Sequence, residues 1–200
     1  MKQATKTAAI DVLVDRRPQS IELFMRFPAR NTETIFGITP DALAASDGRV
    51  YFGALRETGT FDFGDAMIAG TRLSLGGEEQ PLEAMSVMVH PADNALPFET
   101  PLDGNIAMAV CTVPDPVVPP ALTDLVLYTG FISYPATGAG EIKLSMPNTV
   151  PLELAVSVFE DGRLVQRHSV DADKNSDILI VAEGALAEEN WLGRLQRLFQ

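Results

Sequence analysis

Hydrophobic and polar residues alternate most clearly between Thr149 and Glu183, TVPLELAVSVFEDGRLVQRHSVDADKNSDILIVAE. Side chains of an extended chain point to opposite faces with a period of two, so Leu152, Leu154, Val156 and Val158 share one face of a half-buried strand. Asp161-Gly162 follows, two residues that tolerate the positive φ of a type I′ turn, and the chain doubles back there. Such a turn sets Glu160 opposite Arg163, an opposite-charge pair that fixes register more than it stabilises. The return stretch, Leu164 to Val170, carries Gln166, Arg167 and His168 and so puts polar groups on both faces, as an edge strand does. Ile178 to Val181 is a short β-branched run suited to a sheet interior, and the three strands together read as a meander.

The same patterning upstream gives further strands. Ala8 to Val14 and Ile21 to Phe27 flank the polar turn Arg16-Arg17-Pro18-Gln19 and predict a hairpin. Thr71 to Leu75 and Leu82 to His90 are read as strands joined at Gly76-Gly77, with Met85, Val87 and Val89 on one face as core filler. Ile106 to Val113, Leu122 to Tyr134 and Ile142 to Met146 complete the set. Helical signals are sparse. Thr39-Pro40-Asp41 starts one short helix, with Thr39 as N-cap, Pro at the first helical position and a carboxylate in the first turn. Arg49 to Leu55 fits strand and helix equally.

At the end of the chain, residues 185–199 (ALAEENWLGRLQRLF) place acids early and arginines late, which complements the helix dipole at both ends. Trp191, Leu192, Leu195, Leu198 and Phe199 form an apolar stripe at helical spacing. That stripe packs on the protein's own sheet or docks on a partner, where Trp and Arg are typical anchors. The fold expected is therefore mainly β: an antiparallel two-sheet sandwich or partly closed barrel, with one short internal helix and a C-terminal amphipathic helix. Residues 1–184 read as one β domain and 185–200 as the helix. The best internal boundary is 114–120, PDPVVPP, a stiff polyproline stretch that either carries the chain from one sheet to the other, the preferred reading, or joins two subdomains.

Composition narrows the functional classes. Two hundred residues with 46% apolar content can bury a proper core. The formal charge of −12 is unevenly spread: residues 1–30 hold six Lys/Arg against three acids, a net +3, which leaves −15 for the rest. Between Arg72 and Lys143 there is no Lys or Arg, while nine carboxylates fall there. That half repels phosphate backbones, so nucleic acid is not the expected partner. The acids form a solvated surface or a docking face for a basic partner. A single cysteine, Cys111, sits in an apolar run and reads as a buried, inert thiol. No apolar stretch has signal-peptide or membrane-span character, and the reading that follows is a cytoplasmic protein.

Catalytic chemistry finds no motif. There is no phosphate loop, and the two histidines, His90 and His168, cannot make a histidine-rich metal cage. One loop has metal-ligand character: Asp171, Asp173, Asn175 and Asp177 set oxygen side chains at alternate positions, as the opening of a calcium loop does. Ser176 and Ala182 stand where an EF-hand needs glycine and a bidentate glutamate, so the alternatives are a β-loop calcium site or a polar turn bonded to its own backbone. No other cofactor is implied. The leading functional reading is a non-catalytic protein-binding or assembly protein, acting through its acidic β domain and C-terminal helix on another protein or on a second copy. The alternatives are a small-molecule or carbohydrate binding sandwich with calcium at 171–177, and an enzyme whose site is assembled from dispersed carboxylates and His.

Overall fold

The computed structural model of the chain describes residues 7–52, 60–110, 116–135 and 140–181. Cys111, the first two residues of the proline run and the C-terminal segment with Trp191, Leu192, Leu195, Leu198 and Phe199 lie outside the described residues. The described chain is mainly β, with two sheets and no closed barrel. Strands β1 (Ala8–Arg17), β2 (Ser20–Pro28), β5 (Glu83–Pro91), β6 (Leu125–Ser133), β8 (Leu152–Glu160) and β9 (Arg163–Ala172) form one sheet in the order β5-β6-β2-β1-β8-β9. Strands β3 (Arg72–Leu75), β4 (Glu78–Gln80), β7 (Ile142–Ser145) and β10 (Asp177–Val181) form the other, in the order β10-β7-β3-β4.

Two hairpins follow the sequence pattern closely. β1 and β2 pair antiparallel from Asp11↔Arg26 to Arg17↔Ser20, leaving Pro18 and Gln19 as the turn. β8 and β9 close at Glu160↔Arg163, with Asp161 and Gly162 at φ 48° and 74°, the left-handed values a type I′ turn requires. β9 is the edge strand its mixed polarity foretells. Alternation places Leu152, Leu154, Val156 and Val158 in the main core, with Ile10, Val12 and Val14 of β1 beside them. Leu73, Leu75, Ile142, Leu144, Ile178 and Ile180 of the four-stranded sheet belong to the same cluster, so the two sheets share one core.

Five expectations are corrected. The sheets are not wholly antiparallel: β1 and β8 pair parallel from Ala8↔Leu152 to Arg16↔Glu160, joining the two hairpins at the centre of the larger sheet. The turn at Gly76-Gly77 joins β3 to the three-residue β4, while β5 belongs to the other sheet. Met85 is the unmatched residue of a bulge between Ala84 and Ser86, so it does not share a face with Val87 and Val89. Val87 and Val89 enter the main core, whereas Met85 joins a second cluster on the sheet's opposite face. β10 does not extend the β8–β9 hairpin but pairs with β7 at the edge of the smaller sheet. The proline run does not cross between sheets, because β5 before it and β6 after it are neighbours in one sheet.

Internal helix content also exceeds the one short internal helix expected. The turn at Thr39-Pro40-Asp41 is a 3-10 helix, Pro40–Leu43, capped by Thr39 as foreseen. In addition, α1 (Thr32–Phe36), α2 (Thr60–Ala69) and α3 (Pro101–Ala109) are helical. α3 overturns the first half of the strand expected over Ile106 to Val113, whose last three residues lie outside the described residues. Its start carries a full capping box: Thr100 Oγ1 accepts from the Asp103 N–H, and Asp103 accepts from the Thr100 N–H at 2.9 Å. Pro101 adds a preset φ at the first turn.

Candidate functional site

α3 covers the face of the six-stranded sheet that points away from the other sheet. Ala107 and Met108 are buried there in a second cluster with Leu13, Phe24, Phe98, Tyr128 and Phe159. Contact is close because Gly104 has no side chain: a Cβ there would sit 2.8 Å from the Phe24 ring. His90 of β5 pins the helix, its buried Nε2 lying 2.8 Å from the Ala107 carbonyl and its ring edge-on to Tyr128. Burial lowers the His90 pKa, so the ring is neutral and Nε2–H donates to that carbonyl.

The other side of α3 has no such cover among the described residues. Leu102, Ile106 and Val110 recur every four residues and are exposed, Leu102 at 66%. Further along, Val117 is fully exposed at 100% and Val118 at 64%. Val118 belongs to a groove of ≈ 650 Å³ lined by Pro91, Asp93, Pro116, Pro120 and Asp124. Its proline wall is tied down: Arg49 Nη1 donates to the Pro119 carbonyl at 2.6 Å and the Val50 N–H to the Pro120 carbonyl at 3.0 Å. Among the described residues, five of the ten exposed large hydrophobic side chains thus fall within 102–118. All five lie in the stretch of sequence that has carboxylates and no Lys or Arg.

A second hollow, ≈ 420 Å³, runs across the same sheet face beside Ala9, Asp11, Arg26, Pro28, Val126 and Ala155. Glu153 also lines it, and its Arg26–Asp11 pair is internally matched, since Arg26 Nε donates to Asp11 Oδ2 at 2.8 Å while the guanidinium lies 5.2 Å from the centre of the Phe98 ring.

At the far end of that face Asp15 and Glu22 stand opposite one another across β1 and β2. Asp15 is fully buried; it accepts from Arg17 Nε at 2.9 Å and from the Gly162 N–H at 3.0 Å, tying the β1–β2 hairpin to the β8–β9 turn. Arg17 Nη2 lies 3.1 Å from Glu22 Oε2, an ion-pair contact without hydrogen-bond geometry, so that buried oxygen accepts no hydrogen bond. Burial raises the Glu22 pKa, against the lowering by Arg17, and the Asp15 charge adds to the rise. Nothing in the sequence pattern singled out this pair, because its meaning depends on strand register.

The residues read as a calcium loop are placed on different structures. Asp171 is in β9, opposite Glu153, and Asp177 opens β10 opposite Ser145, lining a polar hollow with Arg72, Glu79 and Lys143. Between them Asn148, fully buried, organises the turn: its Nδ2 donates to the Val150 and Asp173 carbonyls at 2.8 and 3.0 Å, and its Oδ1 accepts from the Asn175 N–H at 3.1 Å. Among the described residues no three His, Cys, Asp or Glu side chains converge as a metal would need. No helix among them is long and apolar enough to cross a membrane. Models of known protein families match no part of the chain, and no curated protein matches it.

Proposed function

We propose that the protein is a non-catalytic binding or assembly module that engages a basic, amphipathic segment of another protein. The observation that carries this reading is the coincidence of apolar exposure with a stretch of sequence whose charges are all negative. Leu102, Ile106, Val110, Val117 and Val118 are exposed within a stretch that offers Asp93, Glu99, Asp103 and Asp124 and no cation. Apolar contact supplies affinity at such a surface, and the carboxylates select a basic partner and speed its approach. The proline wall beside Val118 holds the groove in shape, which lowers the ordering cost of binding. In this reading the two sheets form a sandwich that serves as the rigid support, and the amphipathic C-terminal sequence with Trp191 and Leu195 is a second contact element.

The test uses a fluorescently labelled helical peptide of leucine and lysine, read by anisotropy against the full chain. Saturable binding is expected that weakens as salt is raised, since exposed charges are screened within about 10 Å at 0.1 M. Leu102→Ser with Ile106→Ser on α3, and Val118→Ser in the groove, weaken it while the melting temperature holds. Equal binding of a leucine–glutamate peptide, or binding indifferent to all three substitutions, overturns the reading.

A second reading, a small-molecule binding sandwich, rests on the ≈ 420 Å³ hollow beside Arg26, whose size suits a small ligand. Its Arg26–Asp11 pair would have to open for an ionic ligand, and this places it behind the first.

A further inference from the structure

The larger sheet ends on β9, whose far edge has no strand partner among the described residues. Val158 pairs with Gln166 and Phe159 with Leu164, which leaves Val165 as a bulge. Beyond it the seven residues Gln166–Ala172 are regular, each with a partner on β8. Arg167, Ser169 and Asp171 are exposed on one face of this stretch. Its charges are poorly answered within the chain. Arg167 stands opposite Ser157, and Asp171 opposite Glu153, a like charge. Neither belongs to an ion pair among the described residues. On the other face Gln166 Oε1 and His168 Nδ1 are buried without a hydrogen-bond partner.

We propose that β9 is the pairing edge for a second copy of this chain, antiparallel about a two-fold axis at Ser169. The regular stretch is its own complement in that register. Arg167 faces the partner's Asp171 and Asp171 the partner's Arg167, so both unanswered charges are matched, and the two serines meet on the axis. Gln166 faces the partner's Ala172 and His168 the partner's Val170, which sets the two His168 rings diagonally across the axis, within reach of long side chains. A two-fold interface of this kind must be self-complementary, and a cation two residues before the axis with an anion two residues after it satisfies that condition. The bulge at Val165 ends the pairing on one side and the end of β9 at Ala172 ends it on the other.

Sedimentation equilibrium of the full chain tests the proposal. A monomer–dimer equilibrium is expected, and Arg167→Asp weakens association at least about tenfold by setting two carboxylates opposite one another. Arg167→Asp with Asp171→Arg restores it, because the charges exchange places. Ser169→Cys gives an interchain disulfide under mild oxidation in excess of any formed by the parent chain with its native Cys111, whereas Gln166→Cys, opposite alanine, does not. A chain monomeric up to millimolar concentration overturns the proposal. So does a dimer that Arg167→Asp leaves intact, one that the exchanged pair fails to restore, or one in which Ser169→Cys does not cross-link. A cooperative urea transition confirms that each variant is folded, with a lower midpoint expected for those that no longer associate.

Discussion

Replacing Asp15 by alanine tests how the two hairpins are joined. Asp15 accepts one hydrogen bond from the guanidinium of Arg17 and one from the Gly162 backbone, both to a carboxylate whose side chain is 0% exposed. Hydrogen bonds to charged groups are worth roughly 1.5–3 kcal/mol each, so the simple sum is about 3–6 kcal/mol. Two effects reduce it. The Arg17 side chain is 43% exposed and recovers water, and Gly162 is exposed at the turn, so neither donor is left stranded. Removing Asp15 also relieves its repulsion of Glu22. The expected loss is therefore about 2–3 kcal/mol, or roughly 4–12 °C in Tm for a chain of this size. Urea unfolding gives the free energy, with an unchanged slope expected, and amide exchange at Gly162 reports the lost bond directly. A loss under about 0.5 kcal/mol, the range of ordinary surface substitutions, together with undiminished protection at Gly162, would refute the idea that Asp15 ties the β8–β9 turn to β1.

Glu22→Gln raises stability at pH 7. The folded carboxyl has its pKa raised above the ordinary 4.5, so its contribution is full below 4.5 and is lost as pH rises through the folded value; Gln flattens that fall in a pH series of Tm. His90 behaves oppositely. Its pKa is lowered from 6.5, so stability is full above 6.5 and declines as pH falls below it, and its ring resonances titrate below 6.5 in a proton NMR series. Gly104→Ala costs about 1–3 kcal/mol despite better helix propensity, because the new methyl meets the Phe24 ring at 2.8 Å. Gly130→Ala, which meets the flexible end of Met108, costs less, and chemical denaturation separates the two. Asn148→Ala costs about 2–4 kcal/mol by removing three hydrogen bonds from a buried turn, whereas added calcium leaves the parent Tm unchanged.

Local patterning by itself determined the two hairpins and their turns. Alternation in 152–158 and the Asp161-Gly162 pair are short-range signals, since a strand face and a turn conformation depend on neighbours in sequence. The edge character of β9 was legible for the same reason, in side chains that suit neither face of an interior strand. α3 was legible in part: Thr100-Pro101-Leu102-Asp103 is a capping signature, but both sides of the helix are apolar, which erases the helical period and makes 106–113 resemble a strand.

What only the tertiary structure decided is non-local. The parallel pairing of β1 with β8 joins segments more than a hundred residues apart, and no local pattern encodes a partner. The bulge that turns Met85 to the opposite face depends on the register of β5 against β6. Asp15 and Glu22 become a buried pair only when β1 and β2 align, and Asp171 is set against Glu153 only when β9 lies on β8. Charge and exposure are properties of surfaces, and the surface exists only once the distant strands have met.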